Sequence, residues 1–221
     1  MSQIDTVHVV SVGRPQRLWG RLAKRTLDVI GAALGLLFFA PVLLLVAAAV
    51  AISEGRPVIY AHSRVGRGGR RFDCLKFRTM ARDSEARLAA HLVASPEARR
   101  EWQETQKLED DPRVGCLGRV LRRSSLDELP QLWNVLRGDM SLVGPRPVVE
   151  DEERFYGPHF EAYKSVRPGL TGAWQVSGRS DTSYEQRVAL DVSYVRDGGL
   201  LVDMDIILRT VSVILTGRGA R

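Results

Sequence analysis

The strongest feature of the hydrophobic pattern is a long, uninterrupted apolar run. Residues 29–52 contain no charged side chain. At about 1.5 Å per residue, a helix of this length can cross a hydrocarbon core about 30 Å thick. The run starts too late, and is too long, for the apolar core of a secretory signal, which spans roughly 7 to 15 residues. We therefore expect the chain to keep this segment as a membrane helix.

Two features of this run bear on whether the helix spans the bilayer or bends back. Basic residues prefer the cytoplasmic side of a membrane, and here they occupy both flanks. Pro41 removes a backbone hydrogen bond and clashes with the preceding turn, which predicts a kink between two arms of about 17 Å each. These features favour a re-entrant helix, although freed carbonyls must then find partners, and a single spanning anchor is the alternative. The flanking basic residues are Arg14, Arg17, Arg21, Lys24 and Arg25 before the run and Arg56, Arg64, Arg67, Arg70 and Arg71 after it.

The polar part of the chain begins with a β-prone segment and continues as a helical one. Residues 57–80 alternate between apolar and polar positions, which predicts a β-hairpin that turns at residues 66–69. This basic, glycine-rich turn could wrap an anion, but the bare pattern favours an ordinary turn. Residues 83–107 are predicted to be helical with a restart, where Ser95 is the N-cap and Pro96 the first residue of the second helix.

A short helix is predicted in the stretch that carries most of the candidate chemistry. Apolar residues recur at helical spacing from position 129 to position 136, and Gly138 follows as a stop signal. The helix is therefore expected over residues 128–137. Pro130 has no amide hydrogen, and it fits best as the third residue of a helix whose N-cap is Asp127. We therefore expect Asp127 to stand at a helix N-terminus.

Asp127 has a structural and a functional interpretation. Asp is among the best N-cap residues, so capping alone would explain its position. On the functional interpretation, Glu128 adds a second carboxylate, and two carboxylates together with diphosphate oxygens suit the octahedral coordination of Mg²⁺. Arg122, Arg123 and Arg146 flank the pair and could each hold a phosphate through two hydrogen bonds, or could be solvated surface charges.

Two segments towards the C-terminus also leave alternatives open. Residues 167–180 are glycine-rich and include Trp174, Gln175 and Arg179, a mixture that can hold a base, a ribose and a phosphate or can simply connect two elements. Residues 200–215 are apolar with few charges. This pattern fits either a helix at a membrane interface or a helix in the core.

Composition narrows the class of partner. The 32 Lys and Arg residues outnumber the 26 Asp and Glu residues, and the resulting charge of +6 suits an anionic partner such as lipid, nucleotide or phosphate. Aromatic residues are not interleaved with the basic ones in a recognisable nucleic-acid module, so no nucleic-acid partner is expected. Cys74 and Cys116 lack the spacing of metal fingers or disulfide frameworks, which favours a reducing, cytosolic setting.

Four motifs in one order resemble the bacterial sugar transferases of the monotopic phosphoglycosyl transferase superfamily, which initiate polysaccharide and glycoconjugate assembly. They are KRTLD at residues 24–28, KFRTM at residues 76–80, SLDELPQLWNVLRGDMSLVGPRP at residues 125–147 and RPGLTGAWQVSGR at residues 167–179. The resemblance covers about residues 21–215, and with no membrane bundle before Arg14 the chain resembles the short form of the family. Relatives often carry serine where this chain has Ala40, which bears on how sharply the helix bends.

The resemblance implies a proline-broken membrane helix, marked here by Lys24, Arg25, Asp28 and Pro41. It also implies a covalent mechanism in which Asp127 attacks the β-phosphate of a UDP-sugar, releases UMP and passes the phosphosugar to undecaprenyl phosphate.

The same resemblance implies which other residues and which cofactor take part. Asp127 and Glu128 would hold Mg²⁺, which neutralises charge on the leaving phosphate. Relatives of this organisation often use UDP-glucose or UDP-galactose, so a hexose without an acetamido group is expected. Residues expected near the phosphates or in the nucleotide-sugar pocket are Arg122, Arg146, Lys76, Arg78, Arg167, Gln175 and Arg179.

The expected fold is α+β, with a mostly helical cytosolic domain, a small β-hairpin, a re-entrant membrane helix and interfacial helices. We expect a loosely ordered segment at residues 1–20, the membrane helix at residues 21–56 and the catalytic domain at residues 57–221. The location would be the cytoplasmic face of the bacterial inner membrane, with membrane lipids as partners and a homodimer as the commonest oligomer. The alternative function is a non-catalytic basic scaffold that binds anionic lipids or partner enzymes.

Overall fold

The computed structural model describes residues 18–105, 108, 110–178 and 182–216. The expectation for residues 1–17 of the N-terminal segment therefore lies outside the described residues. The helices are α1 (Leu18–Ser53), α2 (Ser84–Ala94), α3 (Pro96–Thr105), α4 (Cys116–Ser124), α5 (Gln131–Arg137), α6 (Glu153–Tyr156), α7 (Phe160–Lys164), α8 (Ala173–Val176), α9 (Tyr184–Asp197) and α10 (Leu200–Thr216). The strands are β1 (Ile59–Val65), β2 (Arg71–Phe77), β3 (Ser141–Val143) and β4 (Gly169–Thr171).

The described chain is mostly helical with a small hairpin, as the sequence predicted. Strands β1 and β2 are antiparallel, with Ile59 opposite Phe77 and Val65 opposite Arg71. The turn between them contains Gly68 at φ 70°, a left-handed conformation that glycine adopts without steric cost. The predicted hairpin and its turn are confirmed.

A second, parallel strand pair was not predicted. Strands β3 and β4 are three residues each and pair in parallel, with Ser141 opposite Gly169 and Val143 opposite Thr171. Such short strands show too few alternations for a hydrophobic pattern to reveal them. This pair joins the end of the 125–147 motif to the start of the 167–179 motif.

The predicted helical restart is confirmed. Helix α2 ends at Ala94, and α3 begins at Pro96. The Ala98 amide donates to Ser95 Oγ at 3.1 Å, which is the hydrogen bond of an N-cap serine. Residue 107, the predicted end of the segment, lies outside the described residues.

The apolar run forms a single long helix. Helix α1 extends over 36 residues and continues through Pro41. Within the described residues it is the one helix long and apolar enough to cross a membrane. Large apolar side chains in its middle are exposed, for example Leu37 at 75% and Phe38 at 77%, which is the surface expected of a helix that contacts lipid. The kink at Pro41 stays a prediction.

Both ends of α1 contact the polar body of the protein. Near its start, Ala32 is fully buried in a cluster with Leu132 and Met140. Near its end, Val50 is fully buried in a cluster with Phe77. Between these ends, one face of the helix also packs on the body through Leu36, Val42 and Leu43, and the opposite face is exposed.

The KRTLD motif provides polar anchors at the start of α1. Lys24 Nζ donates to Asp203 Oδ2 at 2.8 Å. Arg25 Nη1 donates to the Val135 carbonyl at 2.7 Å, at the C-terminal end of α5, where a cation is favoured. Asp28 Oδ1 accepts from the Leu142 amide at 2.9 Å. These residues tie α1 to α5, β3 and α10.

Helix α10 has one buried face and one exposed apolar face. Ile206 is buried in a cluster with Val143 and Tyr194, so one face of the helix belongs to the core. Leu201 and Leu208 on other faces are exposed at 87% and 66%. An apolar exposed face of this kind is typical of an interfacial helix.

Candidate active site

Asp127 and Glu128 lie in a tight turn rather than at the N-cap of an α-helix. Helix α4 ends at Ser124, Ser125 takes a left-handed conformation at φ 58°, and a 3₁₀ turn covers Leu126–Glu128. Helix α5 then begins after Pro130, which occupies the N-cap position. The prediction that Asp127 caps the helix is wrong, because Asp127 belongs to a separate 3₁₀ turn that ends before α5 begins. Capping of α5 therefore does not explain Asp127.

Asp127 is a buried carboxylate with a charged neighbour. Its exposed fraction is 8%, whereas the adjacent Glu128 is half-buried and accepts from Lys76 Nζ at 2.7 Å. Lys76 is the penultimate residue of β2, so the hairpin brings a cation to the carboxylate pair. The structure thus joins three of the predicted site residues.

Burial sets the protonation behaviour of Asp127. Removal from water, together with the negative charge of Glu128, raises the pKa of Asp127 to about 6, while Lys76 and Arg122 act in the opposite direction. A carboxyl group with a pKa near 6 is about nine-tenths ionised at pH 7. Asp127 is therefore largely available as an anion, although its surroundings solvate it poorly.

Arg122 is held beside Asp127 by a close approach of α4 to the end of β2. Its Nε donates to Thr79 Oγ1 at 2.9 Å. Burial lowers the pKa of Arg122, and the charge of Asp127 counters that effect. A Cβ at Gly118 would lie 2.2 Å from the Thr79 carbonyl oxygen, so α4 needs glycine there to approach so closely.

Asn134 fixes the position of β2 relative to α5. It is fully buried, its Oδ1 accepts from the Leu75 amide at 3.0 Å, and its Nδ2 donates to the Asp73 carbonyl at 2.7 Å. The side chain thus satisfies two backbone groups on the edge of β2. This contact holds β2 in the position where Lys76 can pair with Glu128.

A polar cleft opens beside Glu128. It brings together four predicted residues, Lys76, Glu128, Arg146 and Gln175. The remaining lining residues are Arg64, Cys74, Gln131, Pro147, Gly169 and Leu170. The cleft thus combines one carboxylate with three cations, which suits a ligand that carries several negative charges.

Arg64 is a cleft residue that the sequence reasoning counted only as a flanking charge. The hairpin register places Arg64 opposite Phe72 and His62 opposite Cys74, on the face that also carries Lys76. Side chains two residues apart on a strand share a face, so the predicted hairpin could have revealed Arg64. Burial and the neighbouring charge of Arg146 lower the pKa of Arg64.

Two other predicted residues do not line this cleft, and a third is not among the described residues. Arg167 Nε donates to the Gly138 carbonyl at 2.8 Å, at the end of α5, where it lies beside Arg25. Arg78 is half-buried after β2, and its amide donates to the Val58 carbonyl. Arg179 lies outside the described residues. Within the described part of the chain, neither Arg78 nor Arg167 lines the cleft.

The carboxylates fit the coordination habits of Mg²⁺. No group of three or more His, Cys, Asp and Glu side chains at metal-binding distance occurs among the described residues. Mg²⁺ is commonly bound through one or two carboxylates, with water and substrate phosphates as its other ligands. Asp127 and Glu128 offer hard oxygen donors of that number beside a cleft suited to phosphates.

Comparison with known proteins identifies the family. The family model for bacterial sugar transferases matches residues 19–217. The chain belongs to the bacterial sugar transferase family. The predicted resemblance is confirmed, and so is the prediction that the protein is an enzyme that transfers a sugar phosphate.

Several curated relatives of this sugar transferase are similar over most of its length. The exopolysaccharide production protein ExoY of Rhizobium meliloti (strain 1021) is 49% identical over 201 residues, which cover 91% of this chain and 89% of that protein. The undecaprenyl-phosphate galactose phosphotransferase of Salmonella typhimurium is 46% identical, over 90% of this chain and 42% of that protein. The UDP-glucose:undecaprenyl-phosphate glucose-1-phosphate transferase of Caulobacter vibrioides is 43% identical, over 88% of this chain and 70% of that protein.

Proposed function

We propose that this sugar transferase moves a hexose 1-phosphate from a UDP-sugar to undecaprenyl phosphate and so initiates exopolysaccharide or glycoconjugate synthesis. The names of the Salmonella and Caulobacter relatives support this donor and acceptor class. The observation that carries the proposal is the buried, largely ionised carboxylate of Asp127 beside a basic cleft.

The first step is attack by Asp127 on the donor. A carboxylate oxygen forms a bond to the β-phosphorus of the UDP-sugar, and the bond from that phosphorus to the bridging oxygen of the diphosphate breaks. UMP leaves with the electron pair, and the phosphosugar stays on Asp127 as an acyl phosphate. Arg122 and Lys76, the two cations that act on Asp127, are placed to offset negative charge that gathers at the phosphorus.

The second step restores the enzyme. A phosphate oxygen of undecaprenyl phosphate attacks the same phosphorus, and the acyl phosphate bond to Asp127 breaks. The products are a diphosphate-linked lipid sugar and the free carboxylate, so protons and charge balance without a further reactant. Because the donor and the lipid phosphate react in separate steps, the enzyme does not have to bind two anionic substrates in one site at the same time.

Each side chain in the site has a proposed part in this cycle. Asp127 and Glu128 would hold Mg²⁺, which supplies charge neutralisation for the diphosphate when bound. Arg64 and Arg146 bind the donor phosphates, because both line the cleft and a guanidinium can donate two hydrogen bonds to one phosphate. Lys76 holds Glu128 in place through the ion pair of 2.7 Å.

A panel of donors tests the proposed reaction. Membranes containing the protein are incubated with undecaprenyl phosphate and UDP-glucose, UDP-galactose or their N-acetylated counterparts, and the lipid product is identified by mass. We expect a hexose diphosphate lipid from UDP-glucose or UDP-galactose together with release of UMP. Release of UDP instead of UMP would contradict the mechanism, since it would mean that the sugar alone was transferred.

A pH profile of the first step tests the state of Asp127. The attacking carboxyl must be ionised, so the rate of UMP release in a single turnover should rise from pH 5 to pH 7 with a midpoint near the pKa of about 6. Lys76→Gln removes a positive charge that lowers this pKa, so the midpoint should move to higher pH. A profile that is flat between pH 5 and pH 7 would argue against a buried carboxylate as the attacking group.

The contacts of α1 support a re-entrant arrangement on the cytoplasmic face. Asp28 at one end and Val50 at the other contact the same polar body. A spanning helix would place its two ends on opposite sides of the bilayer, where one body could not reach both. Basic residues on both flanks favour the cytoplasmic side of the inner membrane.

Cysteine labelling tests this topology. Cys116 is exposed and Cys74 is buried, so Cys116→Ser gives a background with little surface thiol. Arg21→Cys and Arg56→Cys, at exposed positions on the two flanks, are each added to that background. We expect a membrane-impermeant maleimide to label both from the cytoplasmic side only. Labelling of position 21 from the opposite side would establish a spanning helix.

A further inference from the structure

A buried arginine behind the cleft has no part in the proposed cycle so far. Arg187 lies on α9 and is 8% exposed. Its guanidinium carbon lies 5.1 Å from the centre of the Trp174 ring and 4.8 Å from the centre of the Tyr184 ring. Burial of a cation is costly unless its neighbours compensate for the lost water, so these contacts hold the guanidinium in one place.

The first connection from Arg187 to the cleft runs through Trp174. The guanidinium carbon of Arg146, a cleft residue, lies 5.2 Å from the centre of the same ring. The indole is itself fixed, because its Nε1 donates to Thr182 Oγ1 at 2.6 Å. The Trp174 ring therefore contacts a buried arginine and a cleft arginine at once.

The second connection runs through Glu152. Its Oε1 lies 3.5 Å from Arg187 Nη1, and its Oε2 lies 3.6 Å from Arg64 Nη1. Oε2 also accepts from the Val149 amide at 2.9 Å, and this hydrogen bond fixes the position of the carboxylate. One carboxylate thus joins Arg187 to the second arginine of the cleft.

The two cleft arginines need such support because they repel each other. Arg64 and Arg146 line the same cleft, and the positive charge of Arg146 lowers the pKa of Arg64. Without an anion between them, like charges would separate by rotation of their flexible side chains. Contacts behind the cleft that hold both side chains in place prepare them for an anion in advance.

We propose that Arg187 is a positioning residue that holds Arg146 through Trp174 and Arg64 through Glu152, ready for the phosphates of the nucleotide donor. The inference rests on the proposed function, since it assumes that the ligand of the cleft is a nucleoside diphosphate sugar. A purely structural Arg187 would support the packing of α9 and would not affect donor affinity.

The test compares Arg187→Lys with the unaltered protein. Lysine keeps the charge and can keep the contact to Glu152, but it lacks the flat guanidinium that stacks on Trp174. We expect the KM for the UDP-sugar to rise by about five- to tenfold while kcat changes by less than about twofold. UDP affinity measured by calorimetry should fall by a similar factor, and the melting temperature should stay close to that of the unaltered protein.

Two further variants test the connection through Trp174 and the connection through Glu152 one at a time. Trp174→Leu and Glu152→Gln should each raise the donor KM. Adding Arg187→Lys to Trp174→Leu should have little further effect, because the residues act in one chain of contacts. Full additivity of these two changes would overturn the connection through Trp174.

Arg113→Lys is a matched control. Arg113 also stacks on a tryptophan, with its guanidinium carbon 4.9 Å from the Trp102 ring centre, and it pairs with Asp111 at 2.6 Å. It does not line the cleft, so its conversion to lysine should leave the donor KM unchanged. An unchanged donor KM and UDP affinity in Arg187→Lys, or a loss confined to kcat and melting temperature, would overturn the proposal. Failure of the unaltered protein to bind UDP or turn over any UDP-sugar would instead overturn the proposed function.

Discussion

Asp127→Asn should abolish transfer, with UMP release reduced by at least about a thousandfold. The amide has nearly the shape of the carboxylate but cannot form the acyl phosphate. Asp127 lies in a 3₁₀ turn and does not cap α5, so the substitution should leave the fold intact. The measurement is UMP release from a UDP-sugar in a single turnover, together with recovery of the variant in the membrane fraction.

A trapping experiment distinguishes the nucleophile from a residue that only binds the metal or donor. With a donor labelled in the β-phosphate and no lipid acceptor, the unaltered protein should retain label on Asp127. Glu128→Gln should become labelled more slowly than the unaltered protein, because it keeps the nucleophile and loses a neighbouring carboxylate. Asp127→Asn should retain none. Asp73→Asn, an exposed carboxyl on β2, should behave like the unaltered protein. Label on any other side chain would exclude the proposed mechanism.

The sequence predicted those parts of the fold that leave a local signature. The hairpin followed from alternation around a glycine-rich turn, and the restart between α2 and α3 followed from Ser95 and Pro96. The apolar run predicted α1, and the motif containing Asp127 and Glu128 predicted the part of the site nearest the proposed chemistry. For the hairpin turn, the helical restart and α1, the signal lies within the element that it predicts.

The features that the sequence missed depend on contacts between distant segments. The 3₁₀ turn at Asp127 lies between α4 and α5 and contacts β2 through the ion pair of Glu128 with Lys76, and the helical periodicity of residues 129–136 does not contain that information. Arg167 fitted a phosphate-binding pattern, but the fold directs its guanidinium to the end of α5. Arg187 carries no local motif, since its neighbours Trp174 and Glu152 come from other elements.

Asp28→Ala should loosen the attachment of α1 and lower the free energy of unfolding by about 2 to 4 kcal/mol. Asp28 is 2% exposed, and its Oδ1 accepts from Ser141 Oγ and from the Leu142 amide, each at 2.9 Å. Alanine would leave the partly buried Leu142 amide without this acceptor, and it would remove the negative charge that lies 4.0 Å from Lys24 Nζ. Denaturant unfolding in detergent micelles, followed by near-ultraviolet circular dichroism, measures the change.

The same loss should reach the active site, because β3 leads directly into the segment that carries Arg146. Asp28 holds the first two residues of β3, so a looser strand should raise the donor KM as well as lower stability. Asp205→Ala provides the comparison, since Asp205 forms an exposed pair with Arg209 on α10 and its removal should change stability by no more than about 0.5 kcal/mol. If Asp28→Ala were as stable and as active as Asp205→Ala, the KRTLD motif would have some role other than fixing α1 to the catalytic body.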